Sequence, residues 1–423
     1  MKNYIFQQSV PVYDKVDIVV VGGGPAGVAA AISAARCGKK VILLEHSGQL
    51  GGMGTLGNVS IFMGVGNVTG IYREIISEVM PQQAIPDNHK GSVWPQFNPF
   101  RLRYYLNDKL EKEGVEVLFH VSFAGAITEQ GRMKAVVANS REGLLALEAD
   151  VFIDCTGDGR VAIEAGAGYT TGRETDGMTQ PMTMMFMMQD TGKPVIPHLP
   201  EGCYRYETVE ELPQGRLLHW ERGEAGTLLV NMTRVKGNGA NVKDVSYAEK
   251  EALRQTFSVV DYLQRNGFGT YVLSHVPGQV GVRETNQIIG HYTLTEEDLL
   301  TGRRFEDVVA QTNYEIDIHS PDGKSGTDER EIDGYDIPYR CLIPSGIQGL
   351  LVAGRAISAT HVAMSSMRVQ ATCYALGQAA GVAASLAADQ NILLLDVNKD
   401  DLHRELERQG VVFLTGSASR TRF

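Results

Sequence analysis

Gly22, Gly24 and Gly27 are spaced G-x-G-x-x-G, with Pro25 and Ala26 before the third glycine. A single acid, Glu45, follows 18 positions after Gly27. These residue types in this order suit the holding of a dinucleotide. The first glycine permits a tight turn, the second lets a pyrophosphate approach the backbone, and the third lets a helix pack closely on a strand. The N-terminus of that helix would turn free N–H groups and a partial positive charge toward the phosphates. Glu45 would accept hydrogen bonds from the ribose hydroxyls and repel a 2′-phosphate, which disfavours NADP. A glycine turn without ligand is the alternative. The five cysteines, Cys37, Cys155, Cys203, Cys341 and Cys373, form no CxxC or CxxxxC pair. That argues against a disulfide framework, an iron–sulfur cluster or a zinc knuckle, and fits a reducing compartment.

The elements needed to position these groups are legible around them. VDIVVV (residues 16–21) is a short β-branched run entering the glycine turn, VAAAISAARCG reads as a helix stopped at Gly38, and KKVILLE is a second strand ending at Glu45. Strand, turn, helix and strand make a βαβ unit. A second glycine cluster, QLGGMGTLG, occupies residues 49–57. Residues 100–114 carry apolar positions at helical spacing. Strand-like runs at 116–123, 134–140, 144–148 and 151–154, separated by turn residues, suggest an antiparallel meander. The last run opens into Cys155-Thr156-Gly157-Asp158-Gly159. Between about 173 and 332 the character changes: a Met-rich alternating run (Met178 to Met188), turn-rich sequence, the strand-like TLLVNMTRV and a helical stretch at 246–266. After Tyr335, GLLVAGR (residues 349–355) is again a buried strand entering a glycine turn. A long Ala/Gly-rich helix at about 365–388 and the amphipathic DLHRELERQG follow. The expected fold is α/β: a doubly wound Rossmann-like domain built from both chain ends (residues 1–172 and 333–395), an inserted α+β substrate domain (173–332) and a helical tail (396–423).

The succession GGGPAG, LLE, GGMGT, a meander, DCTGDG and LLVAGRAIS before a long helix resembles FAD-dependent oxidoreductases of the glutathione-reductase-like superfamily. Within it, the chain is most similar to a bacterial FAD-dependent oxidoreductase family related to fumarate-reductase-type flavoproteins. The likeness covers most of the chain and is most specific at residues 17–57, 151–168, 281–299 and 336–381. It implies non-covalently bound FAD. By this resemblance Gly51, Gly52, Met53 and Thr55 would lie along the pyrophosphate and flavin, and Val121 would present backbone groups to adenine. Thr156, Gly157 and Asp158 would close over the FAD, with Gly354 and Arg355 near its ribityl and phosphate end. Ser366 and Arg368 would offer donors to the flavin pyrimidine. His46, next to Glu45, would sit at the adenosine end, out of reach for a covalent flavin link. Two departures weaken any transfer of substrate from relatives: Asn286 stands where the family pattern has an arginine, and Arg160 where it more often has an acid.

Flavin chemistry moves a hydride, and the accompanying proton needs an acid or base; histidine suits, with a pKa near 7. His361, just beyond LLVAGRAISAT, is the first catalytic candidate; otherwise it hydrogen-bonds the loop. Arg283 would hold a substrate carboxylate or oxyanion in bidentate fashion, or else pair with Glu284. Tyr292 is a weaker candidate. For the methionine run, core packing is favoured over an adaptable substrate wall. For Gly377-Gln-Ala-Ala-Gly381, close helix packing is favoured over a ligand contact. No second nucleotide fingerprint occurs, because Gly166-x-Gly168-x-x-x-Gly172 has the wrong spacing.

The expected activity is hydride transfer between a small polar organic substrate and flavin N5, its direction open. Two rivals remain: a single-component flavin monooxygenase, which normally carries Gly-Asp where this chain has Gly354-Arg355, and a non-catalytic flavin electron-transfer subunit. Composition narrows the partners. Net charge is −11, from 39 basic and 50 acidic residues, without a basic tract, so nucleic acid and anionic membrane are disfavoured. The start, MKNYIFQQSVPVYDK, has no apolar stretch of a signal peptide, and no long uninterrupted apolar run occurs, so a cytoplasmic location is expected. The partners expected are the small-molecule substrate and an unidentified electron donor or acceptor; homo-oligomerisation stays open. Glycine makes up 47 of 423 residues, and much of that excess falls in the clusters described.

Overall fold

Burial on both faces explains the apolar opening strand. In the computed structural model, which describes residues 4, 7–64, 68–80, 96–222, 226–321 and 326–414, β1 (Val12–Val21) buries Val16 and Ile18 to Val21. Part of the polar opening segment, and residues 415–423 of the expected tail, lie outside the described residues. β1 turns into α1 (Pro25–Arg36), with Pro25 in the first turn, where no N–H is missed. The chain returns as β2 (Val41–Glu45), buried throughout and parallel to β1. Two glycines of the turn are forced by packing. Gly22 has φ +108°, and a Cβ there would lie 2.4 Å from the Cys155 carbonyl oxygen; one on Gly27 would lie 1.7 Å from the Gly22 carbonyl oxygen.

α2 (Ile71–Val79) and α3 (Pro99–Lys112) follow, the latter capped by the Asn98 side chain, which accepts from the Phe100 and Arg101 N–H groups. β3 (Glu116–Phe119) joins the parallel layer beside β2. The run at 116–123 is thus two strands, divided at His120, whose φ of +57° breaks the extended path. β4 (Ser122–Glu129), β5 (Arg132–Ser140) and β6 (Gly143–Asp154) form the expected meander. The runs at 144–148 and 151–154 merge into β6. Its first half pairs with β5 and its last residues continue into the parallel layer beside β1.

Past α4 (Arg160–Glu164) and β7 (Tyr169–Thr171) a second sheet appears. It contains β8 (Phe186–Asp190), β9 (His219–Glu221), β10 (Thr227–Val230) and β11 (Tyr271–His275), antiparallel in the order β11-β8-β10-β9. α5 (Val242–Arg265), capped by Asn241, packs Val259, Tyr262 and Leu263 against Phe186, Met188, Leu228 and Val230. The methionine run becomes a strand only from Phe186. Met182, Met184 and Met188 pack in the core, as favoured from the sequence, while Met185 also borders a cavity. β12 (Asn286–Ile288) pairs with β7 before α6 (Glu296–Leu300). Two short ladders follow: β13 (Val308–Thr312) with β16 (Tyr335–Pro338), and β14 (Ile316–His319) with β15 (Thr327–Arg330).

β17 (Leu350–Val352) then returns the chain to the first sheet, parallel to β6 at Phe152 to Asp154. The single helix expected at 365–388 is two: α7 (His361–Met367) and α8 (Gln370–Gln390). Val369 between them is extended (φ −66°, ψ 152°), so the chain changes direction beside Arg368. α8 packs closely on α1. A Cβ on Gly377 would lie 1.9 Å from the Ala26 carbonyl oxygen, and one on Gly381 2.3 Å from that of Ala30, which assigns both glycines to helix packing. α8 is apolar and long enough by composition to cross a membrane, yet most of it is buried in the protein. α9 (Lys399–Arg408) closes the described chain. The architecture is α/β, a doubly wound Rossmann-like sheet with an inserted α+β region.

Candidate active site

A single cavity of about 1210 Å³ runs from the carboxyl ends of β1, β2, β6 and β17 to the antiparallel sheet and the β14 hairpin. The carboxyl edge of a parallel sheet is where ligands of doubly wound folds bind. Gly22, Gly24, Pro25, Ala26, Glu45, His46, Gly52, Met53, Val121, Thr156, Gly157, Asp158, Gly354 and Arg355 all border this end. Gly24 differs from its neighbours. A Cβ there would meet nothing nearer than the Gly52 Cα at 4.0 Å, and its φ of −73° suits any residue. No protein contact demands glycine there, and the residue borders the cavity, where a bare backbone leaves room for a pyrophosphate.

Glu45 is buried, at 2% exposure. Its Oε2 accepts the Gly23 N–H at 2.8 Å, its Oε1 accepts the Ser47 N–H at 2.7 Å, and His46 Nδ1 lies 3.0 Å from Oε1. Burial pushes its carboxyl up, but the bonds from His46 and Ser47 outweigh burial and hold it below the usual range. The ionised group keeps acceptor capacity, since a carboxylate has about four lone-pair sites. The Val121 N–H is taken by the Glu45 carbonyl at 3.0 Å. Gly51 and Thr55 shape the loop rather than border the cavity: Gly51 has φ +102°, and the Thr55 hydroxyl donates to the Leu50 carbonyl at 2.7 Å. Arg355 fastens the 156–158 turn. Its Nη2 meets Asp158 Oδ1 at 2.6 Å, its Nε donates to the Gly157 carbonyl at 2.9 Å, and Nη1 reaches the Val282 carbonyl.

The other end of the cavity is lined by Thr183, Met185, Leu218, Trp220 and Asn231 around the antiparallel sheet, by Tyr314, Asp317 and His319 of the β14 segment, and by Arg216, Arg283 and Arg368. Arg283 Nη1 donates to the Pro181 carbonyl at 2.8 Å and to the Thr183 hydroxyl at 2.5 Å. Burial and the nearby Arg368 guanidinium pull its pKa down to about 9. It makes no pair with Glu284.

Three expected site residues lie elsewhere. His361 is buried off the cavity wall, because as the first residue of α7 it turns Nδ1 to Glu284 Oε1 at 2.7 Å. The other Glu284 oxygen accepts the Gln180 N–H at 2.9 Å, so His361 ties α7 to the inserted region instead of facing a substrate. Tyr292 donates to Asp298, 2.9 Å from both carboxylate oxygens, within the capping box of α6, and is likewise off the wall. Ser366 is buried behind Tyr314, whose carbonyl accepts its hydroxyl at 2.5 Å.

Sequence reasoning missed His319. It borders the cavity at 8% exposure, with Nε2 3.6 Å from Asp317 Oδ1. Burial, then the charges of Arg283, Arg234 and Arg368, push its pKa well below the usual histidine value, leaving a neutral imidazole. The available signal was Asp-x-His within a strand-like run, a spacing that puts both side chains on one face.

The fold and this glycine-lined cavity define a dinucleotide-binding α/β protein. The family model described as FAD dependent oxidoreductase matches residues 17–406, and the chain belongs to that family; its cofactor is FAD. It is similar to the thiamine thiazole synthase of Aeropyrum pernix, 29% identical over 164 residues, covering 36% of this chain and 58% of that protein. The Thermococcus kodakarensis thiamine thiazole synthase is 28% identical over 153 residues, 34% of this chain and 59% of its own length. The chain thus spans less than two thirds of the curated relatives it matches. A solved geranylgeranyl bacteriochlorophyll reductase-like protein from Thermoplasma acidophilum aligns over 93% of this chain and 83% of its own, with 14% identity and a TM-score of 0.49.

Proposed function

We propose that this enzyme oxidises or reduces a small polar organic substrate by hydride exchange with N5 of its FAD. One observation carries the reading: the glycine-lined dinucleotide end and the end bearing arginine and histidine are parts of one continuous cavity. Within it, Glu45 holds the ribose hydroxyls, and Gly22 and Gly24 leave the backbone open to phosphate. Arg283, fixed by Pro181 and Thr183, orients an oxygen of the substrate. His319, a neutral imidazole on the same wall, is placed to accept the proton that leaves the substrate when it is oxidised. His361 serves as a positioning residue through Glu284.

The test is anaerobic mixing of the FAD-loaded protein with a panel of organic metabolites. Loss of the yellow absorbance with one of them, and its return with an electron acceptor, is the expected result. Turnover that needs NAD(P)H and oxygen and yields a hydroxylated product would replace this reading with the monooxygenase. Reduction only in the presence of a second protein would replace it with an electron-transfer subunit.

A further inference from the structure

We infer that the substrate is an organic carboxylate, its charged end seated on Arg283 and Arg368 and its apolar body lying along Met185, Leu218 and Trp220. The inference rests on the hydride-exchange reading for what happens to the substrate, but not for what binds.

The guanidinium groups of Arg283 and Arg368 border the cavity, and that of Arg234 joins them through Thr183; of the carboxylates that border this end of it, Glu315, Asp317, Glu329, Glu331 and Asp333, it is Asp317 that is bonded to this group. The hydroxyl of Thr183 accepts from both Arg283 Nη1 at 2.5 Å and Arg234 Nη1 at 3.0 Å, so these two cations share one acceptor. Arg368 Nη2 donates to Gln180 Oε1 at 3.2 Å and to the Asp317 carbonyl at 3.1 Å, and lies 3.5 Å from Asp317 Oδ2. That Asp317 carboxylate also accepts from the Tyr314 hydroxyl at 3.0 Å. Nearby Arg216 is matched by Glu329 at 3.0 Å. Among the described residues Asp317 is the only carboxylate paired with any of Arg234, Arg283 and Arg368, and like charges in a partly dry site are costly unless an anion joins them.

Donors there are also left over. Arg234 Nη2, Arg368 Nε and Gln180 Nε2 are buried without a hydrogen-bond partner among the described residues. Arg234 is 8% exposed and Gln180 1%, so water does not reach them freely. Buried donors without partners are uncommon in native proteins, and one of these three, Arg368, borders the cavity. A guanidinium fork matches a planar carboxylate. Part of the remaining wall is apolar, where Met185, Leu218 and Trp220 line the same cavity. A carboxylate with an apolar body satisfies both halves.

The experiment measures binding and needs no turnover. FAD-loaded protein is titrated calorimetrically with acetate, benzoate and phenylacetate, with benzamide as the uncharged match to benzoate and phenyl phosphate as the rival anion. The expected result is a carboxylate bound at least about tenfold more tightly than benzamide, with that advantage lost in R368Q and R283Q variants that keep FAD and thermal stability. Should either variant fail to fold, the benzoate–benzamide comparison in the wild-type protein decides. Equal binding of benzamide, tighter binding of phenyl phosphate, or no binding by any of the carboxylates overturns the inference. Carboxylate binding in a protein whose flavin no metabolite reduces would leave this inference standing and remove the hydride reading.

Discussion

Gly24→Ala separates the cofactor's demand for glycine from the fold's. The added methyl meets no protein atom nearer than the Gly52 Cα at 4.0 Å, and the backbone φ of −73° accepts alanine without strain. Stability of the FAD-free protein should therefore be unchanged or raised by up to about 1 kcal/mol, through a less flexible unfolded chain. FAD binding should suffer, because the methyl enters space reserved for the pyrophosphate. Overpacking of about 1–3 kcal/mol raises the FAD Kd roughly 5- to 150-fold. Gly27→Ala is the contrasting change: its Cβ would sit 1.7 Å from the Gly22 carbonyl oxygen, so the FAD-free protein itself should lose stability. Denaturant unfolding of both FAD-free variants, paired with FAD titration followed by flavin fluorescence, reads the two effects. A Gly24→Ala protein that binds FAD like wild type, or that unfolds as readily as Gly27→Ala, would refute the placement of the pyrophosphate.

Other consequences follow from the same geometry. His319→Asn should keep FAD but slow anaerobic flavin reduction by about 10²- to 10⁴-fold, whereas His361→Asn should leave the pH profile of that step unchanged and cost about 1–3 kcal/mol in denaturant unfolding, by removing a partner of buried Glu284. Because the His319 pKa is depressed in the folded state, the unfolded chain protonates first as pH falls, and wild-type stability should decline below about pH 6.5; urea titrations against pH should show a shallower decline in His319→Gln. Gly377→Ala should destabilise by about 1–3 kcal/mol, read as a lowered Tm, since its Cβ would strike the Ala26 carbonyl at 1.9 Å and push α8 off α1.

The dinucleotide end was legible because its causes are local. Gly22, Gly27 and Glu45 act within one strand-turn-helix-strand unit, where spacing along the chain is spacing in space. The arginine-bearing end of the cavity is different in kind. Thr183, Arg234, Arg283, His319 and Arg368 come from five separate segments, and only tertiary packing joins them. His361 attracted attention by lying next to the last glycine turn, yet the first turn of α7 points it at Glu284. The break at Val369 was hidden within a run of helix formers, since one extended residue leaves no periodic trace, and it is this break that sets the position of Arg368. The split at His120 was hidden as well, since a single residue of positive φ inside a strand-like run leaves no mark on the pattern. The methionine run gave the right environment but the wrong length of strand, because Met182 and Thr183 make isolated bridges to Val235 and Gly281 instead of a ladder.

The most direct test of hydride exchange across this cavity is anaerobic rapid mixing of the FAD-loaded enzyme with a carboxylate that bleaches it, alongside the same compound deuterated at the reacting carbon. Flavin reduction without oxygen or a second protein, slowed by the deuterium, is the expected result. A flavin that stays oxidised under those conditions, with product formed only when oxygen is admitted and carrying an oxygen atom from it, would contradict the account.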